Sequence, residues 1–126
     1  MAGESVLVVE DNEKNMKLVR DILQAMGYIP LEATSGEEAL ALAAEQAPAL
    51  VLMDIQLPDI DGSEALRRLR SDERTAGIPV LALTAQAMRG ERERFLAAGF
   101  DGYLSKPVDV DELIETVRRY CDGAAE

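Results

Sequence analysis

The sequence predicts an α/β protein, a doubly wound sandwich in which helices cover both faces of a five-stranded parallel sheet. Short apolar runs alternate with longer amphipathic patterns five times along the chain. This alternation is typical of βαβ units with right-handed crossovers. Several of the short runs are apolar at nearly every position, as expected of strands that are buried on both faces.

Each of the five short runs is predicted to be one strand of the sheet. They are residues 5–9 (SVLVV), 28–33 (YIPLEA), 49–53 (ALVLM), 79–83 (PVLAL) and 102–104 (GYL). Five successive βα units predict a flavodoxin-like (βα)5 sandwich with strand order 2-1-3-4-5.

The helices between the strands are predicted from apolar stripes and from capping patterns. Ser35 with Glu38, and Asp109 with Glu112, have the spacing of a capping box, and Asn12 or Glu13 is expected to cap the first helix. Gly99 is a plausible stop for the fourth helix. The predicted inward residues are Met16, Val19, Ile22, Leu23, Met26, Leu66, Leu69, Phe95, Leu96, Val110, Leu113, Ile114, Val117 and Tyr120.

Length and composition predict one domain over residues 1–126, with a core over 5–121 and no output domain. With 13 basic and 24 acidic residues, the net charge of −11 disfavours binding to nucleic acid or to anionic membranes. One cysteine, no long apolar run and no signal-peptide pattern predict a cytoplasmic protein. The absence of histidine excludes mechanisms that need an imidazole from this chain.

A set of polar residues is predicted at the carboxyl ends of the strands, where ligands bind in such sheets. Its members are Glu10, Asp11, Asp54, Thr84 and Lys106. The first of these turns, EDNEKN, has two acids and no glycine. It therefore lacks the backbone cradle of a phosphate-binding loop, and its charge favours a hard cation such as Mg²⁺.

Asp54 is the predicted nucleophile of this site. No residue here is able to activate a serine or threonine, whereas an aspartate is already ionised at neutral pH and can form an aspartyl phosphate. Asp11 and Asp54 are predicted to hold Mg²⁺. Lys106 is expected to pair with Asp54 and then with a phosphoryl oxygen, and Thr84 to donate a hydrogen bond to another.

These positions, together with Lys106-Pro107, resemble the receiver domain of two-component response regulators over residues 5–121. The resemblance implies a signalling switch rather than an enzyme. Asp54 would accept a phosphoryl group from a phosphohistidine of a sensor histidine kinase or histidine phosphotransfer protein. Asp11, Asp54 and the backbone carbonyl of Gln56 would ligate Mg²⁺, with Glu10 acting through a water. Phosphorylation would direct binding to an unidentified downstream protein, and the domain would catalyse its own dephosphorylation.

The resemblance also implies roles for residues around this centre. Tyr103 would be the switch aromatic that turns inward as Thr84 moves toward the phosphate. Gln56 and Gln86 would tune the phosphoryl lifetime. Arg89 and Arg92, beside Tyr103 on the output face, would contact a partner. The peptide bond before Pro107 is usually cis in this family.

Three alternatives remain open from sequence. Asp54 could be a structural cap, the chain could be an aspartate-nucleophile phosphatase, or it could bind its partner constitutively without phosphorylation. The phosphatase alternative requires a second aspartate where Gln56 stands.

The other polar residues that drew attention have structural interpretations. Asp59 and Asp61 are out of register for a calcium loop. Asp59 is instead predicted to serve a turn after Pro58, and Asp61 to cap the third helix. Cys121 is expected to be an inert buried thiol. Arg67, Arg68 and Arg70 are expected to form a solvated face, and Arg94 could belong to a similar one with Arg89 and Arg92.

Overall fold

A computed structural model describes residues 3–85, 91–106 and 108–121 and confirms the α/β prediction. In these residues the strands are β1 (Ser5–Val9), β2 (Ile29–Ala33), β3 (Leu50–Asp54), β4 (Val80–Thr84) and β5 (Gly102–Ser105). The helices are α1 (Glu13–Ala25), α2 (Gly36–Gln46), α3 (Gly62–Ser71), α4 (Glu91–Ala98) and α5 (Val110–Cys121).

The strands pair in parallel in the predicted order, β2-β1-β3-β4-β5. β3 and β4 each extend one residue beyond the predicted end, so that Asp54 and Thr84 are the last residues of their strands. Asp54 is in register with Leu83, and the ladder continues as the Ile55 N–H donates to the Leu83 carbonyl at 3.2 Å. The side chains of Asp54 and Thr84 are therefore held by sheet pairing rather than by loops.

Two apolar cores lie on opposite faces of the sheet. In β1, Val6 and Val8 contribute to the core beneath α1 and α5, whereas Leu7 and Val9 contribute to the core beneath α2, α3 and α4. Successive strand residues point to opposite faces, so a uniformly apolar strand supplies both cores at once.

The predicted helix caps are present at all four positions. The Asn12 side chain accepts hydrogen bonds from the N–H groups of Lys14 and Asn15, at 2.9 and 3.1 Å. The other caps are Ser35 on Glu38 N–H (3.2 Å), Asp61 on Glu64 N–H (2.8 Å) and Asp109 on Glu112 N–H (2.9 Å). The Glu38 carboxylate accepts from the Thr34 N–H at 2.8 Å instead of from its own cap residue.

Two residues predicted to face inward are exposed. Leu96 on α4 and Val110 at the start of α5 are 44% and 45% exposed. The inner face of α4 is filled by Phe95, and a step of one residue rotates the next side chain by about 100° away from that face. α5 buries Leu113, Val117 and Cys121, which follow each other at four-residue spacing.

The helices of the described residues are short. A bilayer-spanning helix needs about 20 predominantly apolar residues. The longest described helix, α1, has 13 residues, and no described helix qualifies as a membrane span.

Candidate functional site at the carboxyl ends of the strands

The structure brings the predicted residues together at one edge of the sheet. Asp54 and Thr84 end adjacent strands, Glu10 directly follows β1, and Lys106 directly follows β5. Glu10, Asp54 and Thr84 are 1%, 5% and 1% exposed. Ionisable groups this deeply buried need compensating partners, and the surrounding contacts supply them in part.

Both carboxylate oxygens of Asp54 have a donor. Oδ1 accepts from the backbone N–H of Gln56 at 2.9 Å, and Oδ2 accepts from Lys106 Nζ at 2.7 Å. Hydrogen bonds to an ionised carboxylate are stronger than those between neutral groups. They fix the orientation of the carboxylate.

Lys106 is shared between two carboxylates. Its Nζ also lies 2.7 Å from Oε1 of Glu10, whose Oε2 accepts from the Asn12 N–H at 3.1 Å. The Oε1 atom is buried, and its contact with the ammonium is an ion pair rather than a directed hydrogen bond. Sequence reasoning predicted the pair of Lys106 with Asp54 but missed the pair with Glu10.

The electrostatics of the site follow from this sharing. Burial raises the pKa of Glu10, and the nearby charge of Asp54 adds to the rise, while the close contact with Lys106 and the hydrogen bond from the Asn12 N–H offset it only in part. Burial alone would lower the pKa of Lys106, but its hydrogen bond to Asp54 and its ion pair with Glu10 raise it above the ordinary value. The single positive charge of Lys106 therefore cannot neutralise both carboxylates.

An acidic cluster completes this end of the sheet. Glu10, Asp11 and Asp54 each place one carboxylate oxygen within 4.8 Å of the others, and no other such group of three occurs among the described residues. Carboxylate oxygens are the ligands that Mg²⁺ prefers. The oxygen donors, the shortage of positive charge and the Glu10 oxygen without a directed hydrogen bond all fit a divalent cation.

A small cleft opens beside Asp54. Its volume is about 60 Å³, and it is lined by Asp54, Ile55, Gln56, Thr84, Ala85 and Lys106. The predicted phosphoryl-contacting residues Thr84 and Lys106 therefore border one cavity with the predicted acceptor. Gln56 is exposed, and it is one of the residues that line the cleft.

The loop that follows Asp54, residues 55–61, closes at its base. The Gly62 N–H donates to the Ile55 carbonyl at 3.0 Å. A Cβ at position 62 would lie 2.7 Å from the Ile55 Cα and 3.0 Å from the Asp54 carbonyl oxygen. Glycine is needed here because the backbone behind Asp54 comes too close for any side chain.

The two other aspartates of this segment have different roles. Asp61 caps α3, as predicted. Asp59, which was predicted only to stabilise a turn, also contacts α2. Its carboxylate accepts hydrogen bonds from the backbone N–H groups of Gly36 and Glu37 at the start of that helix. No local spacing in the sequence signals a contact between segments that lie 22 and 23 residues apart.

The predicted switch and partner residues are placed only in part. Tyr103 is half-buried, its ring centroid lies 5.7 Å from that of Phe95, and it borders a groove of about 630 Å³ between β5 and α5. Gln86, Arg89 and Pro107 lie outside the described residues, as does the side chain of Arg92. The predictions about phosphoryl lifetime, partner face and the cis peptide bond remain predictions.

Comparison with known proteins agrees with this geometry. The sequence profile of the response regulator receiver domain matches residues 6–118. The chain is 50% identical over 121 residues to the polar-differentiation response regulator DivK of Brucella ovis, covering 96% of this chain and 98% of that protein. The stretches VEDNEKNMKL, LMDIQLP and SKPV, which contain most of the site residues, resemble DivK in particular, and the similarity over 96% of the chain confirms this resemblance.

Two solved structures bear on the site. The receiver domain of the sensor histidine kinase PA1611 from Pseudomonas aeruginosa has a magnesium ion coordinated in its active site cleft. It matches at 37% identity and TM-score 0.87, over 96% of this chain and 99% of that one. The second is a Saccharomyces cerevisiae co-crystal structure of the histidine phosphotransfer protein Ypd1 with the receiver domain of Ssk1. A chain of that structure matches at 28% identity and TM-score 0.90, over 99% of this chain and 93% of that one. From its profile match, its DivK-like sequence and its fold, the chain belongs to the response regulator receiver domain family.

Proposed function

We propose that this protein is a phosphorylation-controlled binding switch in which Asp54 accepts a phosphoryl group from a phosphohistidine on a partner. The observation that carries the proposal is the Asp54 carboxylate itself. It is buried at the end of β3, paired with Lys106 Nζ at 2.7 Å, and it lines a small cleft. An ionised carboxylate needs no general base before it attacks phosphorus.

The transfer balances without a base from this chain. A carboxylate oxygen of Asp54 forms the new P–O bond while the P–N bond of the phosphohistidine breaks, and the imidazole leaves with the partner and takes up a proton there. Lys106 moves from Asp54 Oδ2 to a phosphoryl oxygen, and the Thr84 hydroxyl donates to another. The yeast co-crystal of a receiver domain with a phosphotransfer protein supports such a partner for this chain.

The metal-binding residues of the proposal are Asp11, Asp54 and the backbone carbonyl of Gln56, with Glu10 acting through a water. Bound Mg²⁺ would stabilise the negative charge of the transferred group. These residues would hold the cation, and the Gln56 N–H orients Asp54 by donating to its Oδ1. The magnesium ion in the Pseudomonas receiver supports this assignment.

The output of the switch is a change in the surface near α4 and β5. Thr84 ends β4 at the cleft, and Tyr103 lies one strand away with its ring against Phe95. Movement of Thr84 toward the phosphoryl group would make room for Tyr103 to turn inward. A protein partner docking on this face, with Arg89 and Arg92, would sense that change. Hydrolysis of the aspartyl phosphate by water, tuned by Gln56 and Gln86, would reset the switch.

Labelling with acetyl phosphate tests the proposal. In the presence of Mg²⁺, the intact mass of the wild type should increase by one phosphoryl group, and Asp54→Asn should show no increase because the nucleophile is gone. Asp111→Asn, at an exposed position on α5, makes the same change in charge and should label normally. Equal labelling of Asp54→Asn and wild type would refute the assignment, and steady turnover of a phosphomonoester would favour a phosphatase instead.

A further inference from the structure

The aspartate at position 59 connects two segments that otherwise belong to different βα units. Its Oδ1 accepts from the Gly36 N–H at 2.8 Å, and its Oδ2 accepts from the Glu37 N–H at 2.9 Å. These are the first two N–H groups of α2, which have no partner within the helix. Ser35 caps only the next N–H group, that of Glu38. Asp59 therefore completes the capping of α2 from the loop between β3 and α3.

The contact between the Asp59 carboxylate and the N-terminus of α2 is also electrostatically favourable. The N-terminus of a helix carries partial positive charge and favours an anion. The hydrogen bonds from the Glu37 and Gly36 N–H groups lower the pKa of Asp59, so that it stays ionised at neutral pH. Both carboxylate oxygens are engaged, and this fixes the orientation of the loop relative to α2.

A second contact reinforces the same docking. Ile60 packs so closely on Gly36 that a Cβ at position 36 would overlap its Cγ1 and lie 2.7 Å from its Cδ1. At the other end of the loop, the Gly62 N–H is bonded to the Ile55 carbonyl. The loop is thus held at its base by Gly62 and at its far side by Asp59 and Ile60.

Gln56 lies between these two anchors, three positions before Asp59. Its N–H orients Asp54, and its carbonyl is the proposed metal ligand contributed by backbone. A carbonyl on an unanchored loop must be ordered when the metal binds. Ordering a residue costs conformational entropy, and this cost weakens the binding of the metal.

We infer that Asp59 is a positioning residue, which holds the loop after Asp54 against α2 and so keeps the Gln56 carbonyl in place before Mg²⁺ arrives. This inference rests on the proposed function, because it assigns Asp59 a part in preparing that same site. It also makes α2, which contributes no residue to the site, part of the support of the phosphoacceptor.

The matched comparison is Asp59→Ala against Ser35→Ala. Each removes capping from the same end of the same helix, but only the first releases the loop. In the metal-free protein, amide hydrogen exchange at Gln56 and Gly62 should be about tenfold faster in Asp59→Ala and unchanged in Ser35→Ala.

Mg²⁺ titration by calorimetry gives a second readout. The dissociation constant for Mg²⁺ should rise about tenfold in Asp59→Ala, as expected for ordering about one residue, and little in Ser35→Ala. Because the defect lies in preparation of the site, saturating Mg²⁺ should restore the rate of labelling by acetyl phosphate in Asp59→Ala to nearly that of the wild type.

The outcomes separate the two proposals. If the wild type neither binds Mg²⁺ nor labels, the proposed function is wrong. If the wild type does both and Asp59→Ala matches Ser35→Ala in exchange and in Mg²⁺ affinity, only the positioning role is wrong. Should Asp59→Ala not fold, Asp59→Asn, which keeps one acceptor oxygen, should show intermediate exchange at Gln56. Wild-type exchange in that variant would contradict the inference.

Discussion

At each end of the sheet, one positively charged side chain connects distant segments. The two ends differ in how much negative charge surrounds that side chain. Lys106 lies at the carboxyl end, between Glu10 and Asp54. Arg70, on α3, lies at the amino ends of β4 and β5 and contacts the segments that lead into these two strands.

The amino end is electrically matched. Arg70 donates to the carbonyls of Ala76, Ile78 and Gly99, at 3.0, 2.6 and 3.2 Å, and to the Asp101 carboxylate at 2.9 Å. The same carboxylate accepts from the Val80 N–H at 2.8 Å. One guanidinium meets one carboxylate, and its other donors meet neutral carbonyls.

The carboxyl end is short of positive charge, because one ammonium serves two buried carboxylates with the exposed Asp11 beside them. The balanced charges at the amino end stabilise the fold, whereas the excess of negative charge at the carboxyl end favours binding of a cation, and with it a phosphoryl group. The comparison predicts that substitutions at the two ends should differ in kind. Changes at Arg70 should cost stability, and changes at Glu10 should gain it.

The largest expected effect on stability is that of Arg70→Ala. It removes donors from several backbone carbonyls and one carboxylate, and we expect a loss of about 2–3 kcal/mol in the free energy of unfolding. Arg67→Ala on the same helix is the control, since Arg67 is 69% exposed and, among the described residues, forms an ion pair only with Glu64. It should leave the free energy of unfolding nearly unchanged, because an exposed ion pair contributes little. Urea unfolding measures both.

Folded Arg70→Ala should also label at Asp54 at the wild-type rate, because Arg70 contacts the opposite end of the sheet. A labelling defect as large as that of a site variant would mean that the two ends are not separate in function.

A smaller effect of opposite sign is expected for Glu10→Gln. The pKa of Glu10 is raised in the folded protein, so its contribution to stability is fully present below the ordinary value of 4.5 and is lost as the pH rises through the folded value. Removing the charge should therefore stabilise the fold by about 1 kcal/mol at pH 7.5, and the difference should vanish toward pH 4. Unfolding curves across this pH range test it.

Glu64→Gln is the informative control, because its pH dependence should run the other way. The hydrogen bonds from Arg67 and Arg68 lower the pKa of Glu64 to about 2. The stability it contributes is present above its ordinary value and is lost as the pH falls through about 2. Glu64→Gln should thus be less stable than the wild type at neutral pH, with salt reducing the difference because the site is exposed. A loss of stability in Glu10→Gln at pH 7.5 would contradict the account of the carboxyl end.

Features that depend on residues close together in the sequence could be predicted from it. Uniformly apolar runs predicted the strands and their order, and local spacings predicted the caps at Asn12, Ser35, Asp61 and Asp109. The rim of polar residues followed from topology, because parallel strands deliver their ends to one edge.

Several contacts between distant segments were missed, although the pair of Lys106 with Asp54 was predicted. Arg70 was expected to be solvated like Arg67 and Arg68, because its acceptors at residues 76–101 become neighbours only in the folded chain. The contact of Asp59 with α2 and the ion pair of Lys106 with Glu10 were missed for the same reason. Leu96 and Val110 were misassigned because an apolar residue beside an inward position need not share its face.

The most direct test of the carboxyl end is the free energy of unfolding as Mg²⁺ is raised at constant ionic strength. The wild type should become more stable along a one-site curve, by about 2.7 kcal/mol when Mg²⁺ reaches one hundred times its dissociation constant. Asp54→Asn should lose most of this gain, while Asp111→Asn, with the same change in charge on an exposed part of α5, should keep it. If wild type, Asp54→Asn and Asp111→Asn gain equally, Mg²⁺ is only screening the acidic surface, and the carboxyl end is not the metal site proposed here.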